Sequence, residues 1–286
     1  MRVGREKPTV YRSAKWYWEG YKKVIDIDLE ACGNLLRATT DKVASISERP
    51  PPCEDLSAVI AWVRGIGHFG ADELRAALYD LYPPIKWGGE EPQLESKDST
   101  CWIHDPIDGA YHYIQNLPLW SSSLALVTGG KVRAAFVYEP ALGEMFVAAA
   151  GYGATLNGHR LTSSMKTEIK TSVMSTAIPP LAQVGGQSHR HSLNLLRAVS
   201  SKAFVVRQMG SASLQLAYVA SGRLDGYWEV GQDVGDWLAG SLLVEEAGGI
   251  VSDMVGQPLG WTPGGIVAAP SSLHRQLVRI LAKSKA

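Results

Sequence analysis

The segment Trp102-Ile103-His104-Asp105-Pro106-Ile107-Asp108-Gly109-Ala110 sets two carboxylates three residues apart. Pro106 stiffens the backbone between them and Gly109 frees it behind them, so one turn can aim Asp105, the Ile107 carbonyl and Asp108 at a single point. Oxygen donors converging in this way suit a hard divalent cation such as Mg²⁺. The same residues would also make a sound structural turn, and it is the sequence just downstream that favours chemistry. Gly109-Ala110-Tyr111-His112-Tyr113 can open a helical turn, whose free N–H groups and positive dipole end suit a phosphate.

Two further acidic segments bear on the same chemistry. Gly88-Gly89-Glu90-Glu91 follows an extended Ile85-Lys86-Trp87, and such a pair taken alone reads as a solvated strand end. Asp236 stands where Gly235 hands over to an apolar helix; aspartate caps helices well, and a capping carboxylate keeps one oxygen for a metal. His189-Arg190-His191 reads as a solvated loop at a helix start, and Cys101 as a small buried residue at a strand end.

These groups need a scaffold, and the hydrophobic pattern supplies one. Helical spacing runs from about 27 to 47 and stops at Pro50-Pro51-Pro52; short helices are expected at 56–63 and 71–81. Residues 123–127, 132–138 and 144–149 are strand-like runs separated by glycine-containing turns, which makes an antiparallel meander. Beyond them the pattern alternates. Strands are expected at 171–177, 204–206, 225–229, 250–251 and 266–268, with helices at 191–199, 213–221, 236–247 and 271–282. An α+β half, 1–185, is therefore expected to join an α/β half, 186–286, that completes the site.

The whole chain narrows the classes of function. Of its 286 residues 45% are hydrophobic and 20% charged, as in an ordinary globular enzyme. Lysine plus arginine, 28, balances aspartate plus glutamate, 28, so nothing global favours nucleic acid or an anionic membrane. Three widely spaced cysteines argue against a disulfide framework or zinc site and fit a reducing cytoplasm. No apolar run approaches the roughly 20 residues that span a bilayer. The first ~25 residues interleave basic and aromatic side chains; a nucleic-acid arm is one reading, but an extension packing on the body or a partner subunit is favoured.

Together these segments resemble the inositol monophosphatase family of Mg²⁺-dependent, lithium-sensitive phosphatases. The first family signature, Asp-Pro-Ile-Asp-Gly-Thr, is matched from Asp105 to Gly109. The second, Trp-Asp with a small-residue helix ending Glu-Ala-Gly-Gly, is matched by Asp236, Ala239, Gly240 and Glu246-Ala247-Gly248-Gly249. Gly89-Glu90-Glu91, the run from Gly210-Ser211-Ala212 to Glu229, and Gly151-Tyr152-Gly153-Ala154 with Asn157-Gly158 follow in the family's order over roughly 70–270. The resemblance implies a layered αβαβα sugar-phosphatase fold, usually a homodimer, acting on a small sugar or polyol phosphate.

It also implies roles. Glu90, Asp105 and the Ile107 carbonyl would hold one Mg²⁺, and Asp105, Asp108 and Asp236 a second. The N–H groups of Gly109 and Ala110 would receive the phosphate, while Gly210, Ser211, Ala212 and Glu229, beside Asp108 and Asp236, would face the alcohol. Glu90, Asp105 and Asp108 would carry the in-line attack of a metal-activated water. Three departures stand out. Ala110 replaces the family's Thr or Ser, whose hydroxyl orients that water with the acidic residue matched by Glu90; Ser122 or Ser123 could stand in. Trp237 follows the second-signature Asp where the family has Trp before it. Gly65-Ile66-Gly67-His68-Phe69-Gly70 has no carboxylate where a Thr-x-x-Asp element would support a third metal. Phosphatases of histidinol phosphate, fructose 1,6-bisphosphate or phosphoadenosine phosphate share this metal core, and an inactive binding homologue is the rival of another class.

Overall fold

The computed structural model describes residues 27–46, 56–89 and 99–284. The basic-aromatic extension at the N-terminus lies outside them, and so does Glu90.

The first sheet takes its strands in chain order: β1 (Lys86–Gly89), β2 (Thr100–Asp108), β3 (Ser121–Thr128), β4 (Lys131–Glu139), β5 (Glu144–Ala149), β6 (Gly153–Leu156) and β7 (His159–Arg160). β1 runs parallel to β2 and every later neighbour is antiparallel, so the expected meander is β3–β5. The second sheet has the order β11-β12-β10-β8-β9, from β8 (Val173–Thr176), β9 (Val205–Gln208), β10 (Gly226–Glu229), β11 (Gly249–Ser252) and β12 (Ile266–Pro270). Here β9, β8 and β10 are parallel, and β12 is antiparallel to both β10 and β11.

Seven α-helices and a 3₁₀ turn at Ile169–Thr171 complete the described chain, the α-helices being α1 (Leu29–Ser45), α2 (Leu56–Leu81), α3 (Ala110–Ile114), α4 (Leu181–Ser200), α5 (Ala212–Ala220), α6 (Val234–Glu246) and α7 (Ser271–Lys283). The architecture is a layered αβαβα sandwich. α1 and α2 cover the outer face of the first sheet, α5 and α6 lie between the sheets, and α4 and α7 cover the second sheet.

Period-two alternation sorts the side chains between layers. On β3, Leu124 and Leu126 pack under α1 and α2, while Ala125 and Val127 face α5 and α6. On β12, Ile266 and Ala268 face that middle layer and Val267 and Ala269 face α7. Both faces of each sheet are therefore covered, which is why these strands read as nearly continuous apolar runs. α6 is apolar around most of its circumference because it is sandwiched, with Trp237, Leu238, Ala239, Gly240 and Leu242–Val244 buried. At Gly240 a Cβ would lie 2.4 Å from Leu216 Cβ, so α5 and α6 meet nearly backbone to backbone.

Three boundaries differ from the sequence expectation. Residues 56–81 form one helix rather than two, passing straight through Gly65, Gly67 and Gly70. Those glycines weaken helix propensity, but tertiary contact wins. A Cβ at Gly67 would meet Pro106 Cγ at 3.1 Å and one at Gly70 would meet Val43 Cγ2 at 2.7 Å, so small residues let α2 press on the β2 turn and on α1. α4 begins at Leu181 and continues past a break at Gly185 (φ 75°), so His189, Arg190 and His191 are helical, not in a loop. α6 begins at Val234, with Asp233 in the cap position, so Asp236 sits in its first turn rather than at its cap.

Candidate metal centre

β2 carries the first two carboxylates and then breaks its own ladder. Asp105 pairs with Ser123 and Asp108 with Ser121, so three steps on β2 oppose two on β3. Pro106 and Ile107 form the bulge, the sheet position where proline is tolerated. The Asp105 Oδ1 accepts the Ile107 N–H at 2.9 Å, which closes the turn locally. Ile107 anchors it by burying its side chain with Val43, Val63, Tyr113 and Trp120.

Behind the turn, Ser122 donates its hydroxyl to the Asp105 carbonyl (3.1 Å) and lies 3.0 Å from His104 Nε2. With that hydrogen committed, His104 Nε2 must be the donor. Burial holds the imidazole neutral, its pKa pushed down to about 3. Ser122 thus supports the Asp105–Asp108 turn from behind.

Asp108, the last residue of β2, is held by a segment a hundred residues away. The Ala212 N–H donates to Oδ1 (3.1 Å), while Oδ2 accepts from Ser211 Oγ (3.0 Å), the Ser213 N–H (2.7 Å) and the Ser213 hydroxyl. Ser121 Oγ bridges Ser211 and Ser213 at 2.9 and 3.0 Å. Three donors fill Oδ2 and a single one reaches Oδ1, so Oδ1 keeps capacity for a cation. Two glycines allow the approach. Gly109 adopts φ 92°, and a Cβ there would meet Ser211 Cβ at 3.1 Å; a Cβ at Gly210 would meet His112 Nδ1 at 2.4 Å.

Asp236 comes from the middle layer. Oxygens of Asp105, Asp108 and Asp236 all lie within 4.8 Å of one another. Three negative charges this close, partly out of water, are costly. Burial raises the Asp108 pKa against the pull of its hydroxyl and N–H donors. Burial, then the charges of Asp105, Asp108, Glu229 and Asp233, raise that of Asp236 well above the usual carboxylate value. An all-oxygen, strongly anionic cluster with its carboxylates already oriented fits a hard divalent cation. It is the only such cluster among the described residues.

The remaining sequence-proposed residues fall around it. Gly109 is the N-cap of α3, and Ala110 its first residue, with the methyl packed toward the Ile107–Tyr113–Trp120 cluster. Gly210, Ser211 and Ala212 line the other side, with Ser211 and Ala212 directed at Asp108. Glu229 ends β10 on the second sheet; burial raises its pKa to about 7, its Tyr227 and Trp237 hydrogen bonds oppose this, and the charges of Asp108 and Asp233 add to it. Sequence reasoning gave Ser121 and Ser213 no part in the site, placed Tyr227 only within the family-like run that ends at Glu229, and noted Trp237 only as a displaced tryptophan. Ser213 carried a faint signal, a second hydroxyl one residue beyond the Gly210-Ser211-Ala212 match.

A layered αβαβα fold that gathers carboxylates from its first sheet and middle helix layer defines a class of protein with an acidic cluster that could hold a metal ion. Residues 71–286 match the inositol monophosphatase family, and the chain belongs to that family. The chain is 38% identical over 195 residues, 68% of its length and 72% of the relative's, to an inositol-1-monophosphatase of Mesorhizobium japonicum. It is 32% identical over 253 residues, 87% of its length and 90% of the relative's, to the Nus factor SuhB of Pseudomonas aeruginosa. The inositol monophosphatase structure from Anabaena superposes with a TM-score of 0.73 at 26% identity, covering 89% of this chain and 96% of that one.

Proposed function

We propose that this protein is a Mg²⁺-dependent phosphatase that hydrolyses the phosphate monoester of a small polyol or sugar. The observation that carries the reading is the convergence of Asp105, Asp108 and Asp236 to within 4.8 Å. Those three would hold one Mg²⁺, and Glu90, Asp105 and the Ile107 carbonyl another. A metal held there would supply Lewis-acid chemistry, lowering the pKa of a water and offsetting the charge of the leaving oxygen.

The chain's own residues prepare the rest. Ile107 and Ser122 fix Asp105, and the donors at 211–213 fix Asp108 with one oxygen in reserve. Such preorganisation avoids rearranging charged groups during reaction. The N–H groups of Gly109 and Ala110, unpaired within α3 by the geometry of a helix start, offer donors to a phosphoryl oxygen. Glu229 offers a carboxylate to the hydroxyls of the alcohol.

The test is release of inorganic phosphate from a panel of monoesters with Mg²⁺, with EDTA and with added Li⁺. Turnover that requires Mg²⁺, falls with Li⁺ and prefers polyol or sugar esters is expected. A second reading, a binding homologue without turnover, draws on Ala110, whose methyl occupies the place of the family's water-orienting hydroxyl, and on relatives named as Nus factors. Release from no ester, with Mg²⁺ still raising thermal stability, would establish that second reading instead.

A further inference from the structure

The Glu229 carboxylate is gripped asymmetrically. Its Oε2 accepts from the Tyr227 hydroxyl and from Trp237 Nε1, the latter at 2.9 Å. Tyr227 and Trp237 are both fully buried, so neither donor has water as an alternative partner. Glu229 itself is half-buried at the end of β10, near enough to the metal centre for the charge of Asp108 to act on it. Trp237 stands next to Asp236 on α6, and its indole lies along Gly231 in the β10–α6 connection, where an added Cβ would come within 3.7 Å of Cζ2. One buried side chain therefore ties the carboxylate on the second sheet to the helix that carries a metal ligand.

We propose that Trp237 is a positioning residue for substrate selection: with Tyr227 it clamps Oε2 of Glu229, so that Oε1 is presented in one fixed direction to a hydroxyl of the substrate's alcohol. This rests on the phosphatase reading above. A carboxylate pivoting about its χ angles would accept from hydroxyls in many places and order poorly around any; a clamped one favours alcohols with a hydroxyl at one distance and direction from the phosphate. The ligand class it selects is a polyol phosphate with a free hydroxyl near the ester carbon, and an aryl phosphate lacking hydroxyls gains nothing from the clamp.

The experiment compares wild type and Trp237→Phe on inositol 1-phosphate and p-nitrophenyl phosphate under saturating Mg²⁺. Phenylalanine keeps an aromatic ring and removes the N–H. One hydrogen bond to a charged group is worth roughly a ten-fold factor. The expected result is a roughly ten-fold fall in the polyol-to-aryl ratio of kcat/KM, seen in KM for the polyol ester rather than in kcat. Glu229→Gln and the double variant should lose the same selectivity rather than the product of two losses, because both changes act on one contact. Equal effects on both substrates, or strictly multiplicative losses, would overturn the inference while leaving the phosphatase reading intact. A wild type that hydrolyses neither ester would bring down that reading and the inference with it. Should Trp237→Phe fail to fold, Tyr227→Phe removes the other half of the clamp and is read by the same ratio.

Discussion

At the scale of single residues the centre is a charge problem solved by geometry. Asp105→Asn removes the carboxylate shared by both proposed metal positions. It should abolish the Mg²⁺-induced stabilisation and cut turnover by about 10³-fold or more; full activity in that variant would remove the metal assignment. Ala110→Thr restores a hydroxyl where the family has one and should raise kcat about 10-fold if a positioning hydrogen bond is what the site lacks. An unchanged or lower kcat in steady-state assays would mean that the packing of the Ala110 methyl beside Ile107 and Trp120 matters more. Glu229 gives a signed pH dependence. Its pKa is raised from 4.5 to about 7 in the folded protein. Between those values the native state holds a proton that the unfolded chain has released, so stability falls as pH rises from about 4.5 to about 7. Melting of the metal-free protein across that window should show the decline, and Glu229→Gln should make it shallower, the raised carboxyls of Asp108 and Asp236 carrying the rest.

At the scale of elements, function depends on how closely small residues let backbones approach. The α5–α6 contact runs through Gly240, where a Cβ would fall 2.4 Å from Leu216 Cβ and 2.7 Å from its Cδ1. Gly240→Ala improves helix propensity by about 1 kcal/mol, yet the overpacking should cost about 1–3 kcal/mol, so the net expectation is destabilisation. Because Asp236 rides on the same helix, Mg²⁺ affinity should weaken with it; isothermal titration alongside a melting curve separates the two effects. The unbroken α2 teaches the same lesson. Its glycines look like interruptions along the sequence, and in the fold they are the contact points with Pro106 and Val43. Periodicity sees a weak helix former, and only the neighbouring element shows why the weakness is worth its cost.

At the scale of the molecule, the centre draws Asp105 and Asp108 from the first sheet and Asp236 from the middle layer, with Glu229 on the second sheet beside them. A cation bound there ties layers together, so Mg²⁺ at about 100 times its dissociation constant should add about 2.7 kcal/mol and raise Tm by about 5 °C. No Mg²⁺-dependent shift in calorimetry would count against occupation of the cluster. Much of this molecule was readable in the chain. The Asp105–Gly109 turn, the meander of β3–β5 and the apolar α6 follow from proline and glycine placement and hydrophobic period, which act over a few residues and leave their mark locally. Order and spacing of the motifs named the family. What tertiary structure alone decided is how each carboxylate is held: Asp108 by hydroxyls and N–H groups at 211–213, about a hundred residues distant, and Glu229 by an indole from the next helix. Serine and tryptophan there carry no periodic signal. Their donors acquire a role only when packing removes water and brings a buried carboxylate to them, and that is a property of the folded layers rather than of any stretch of sequence.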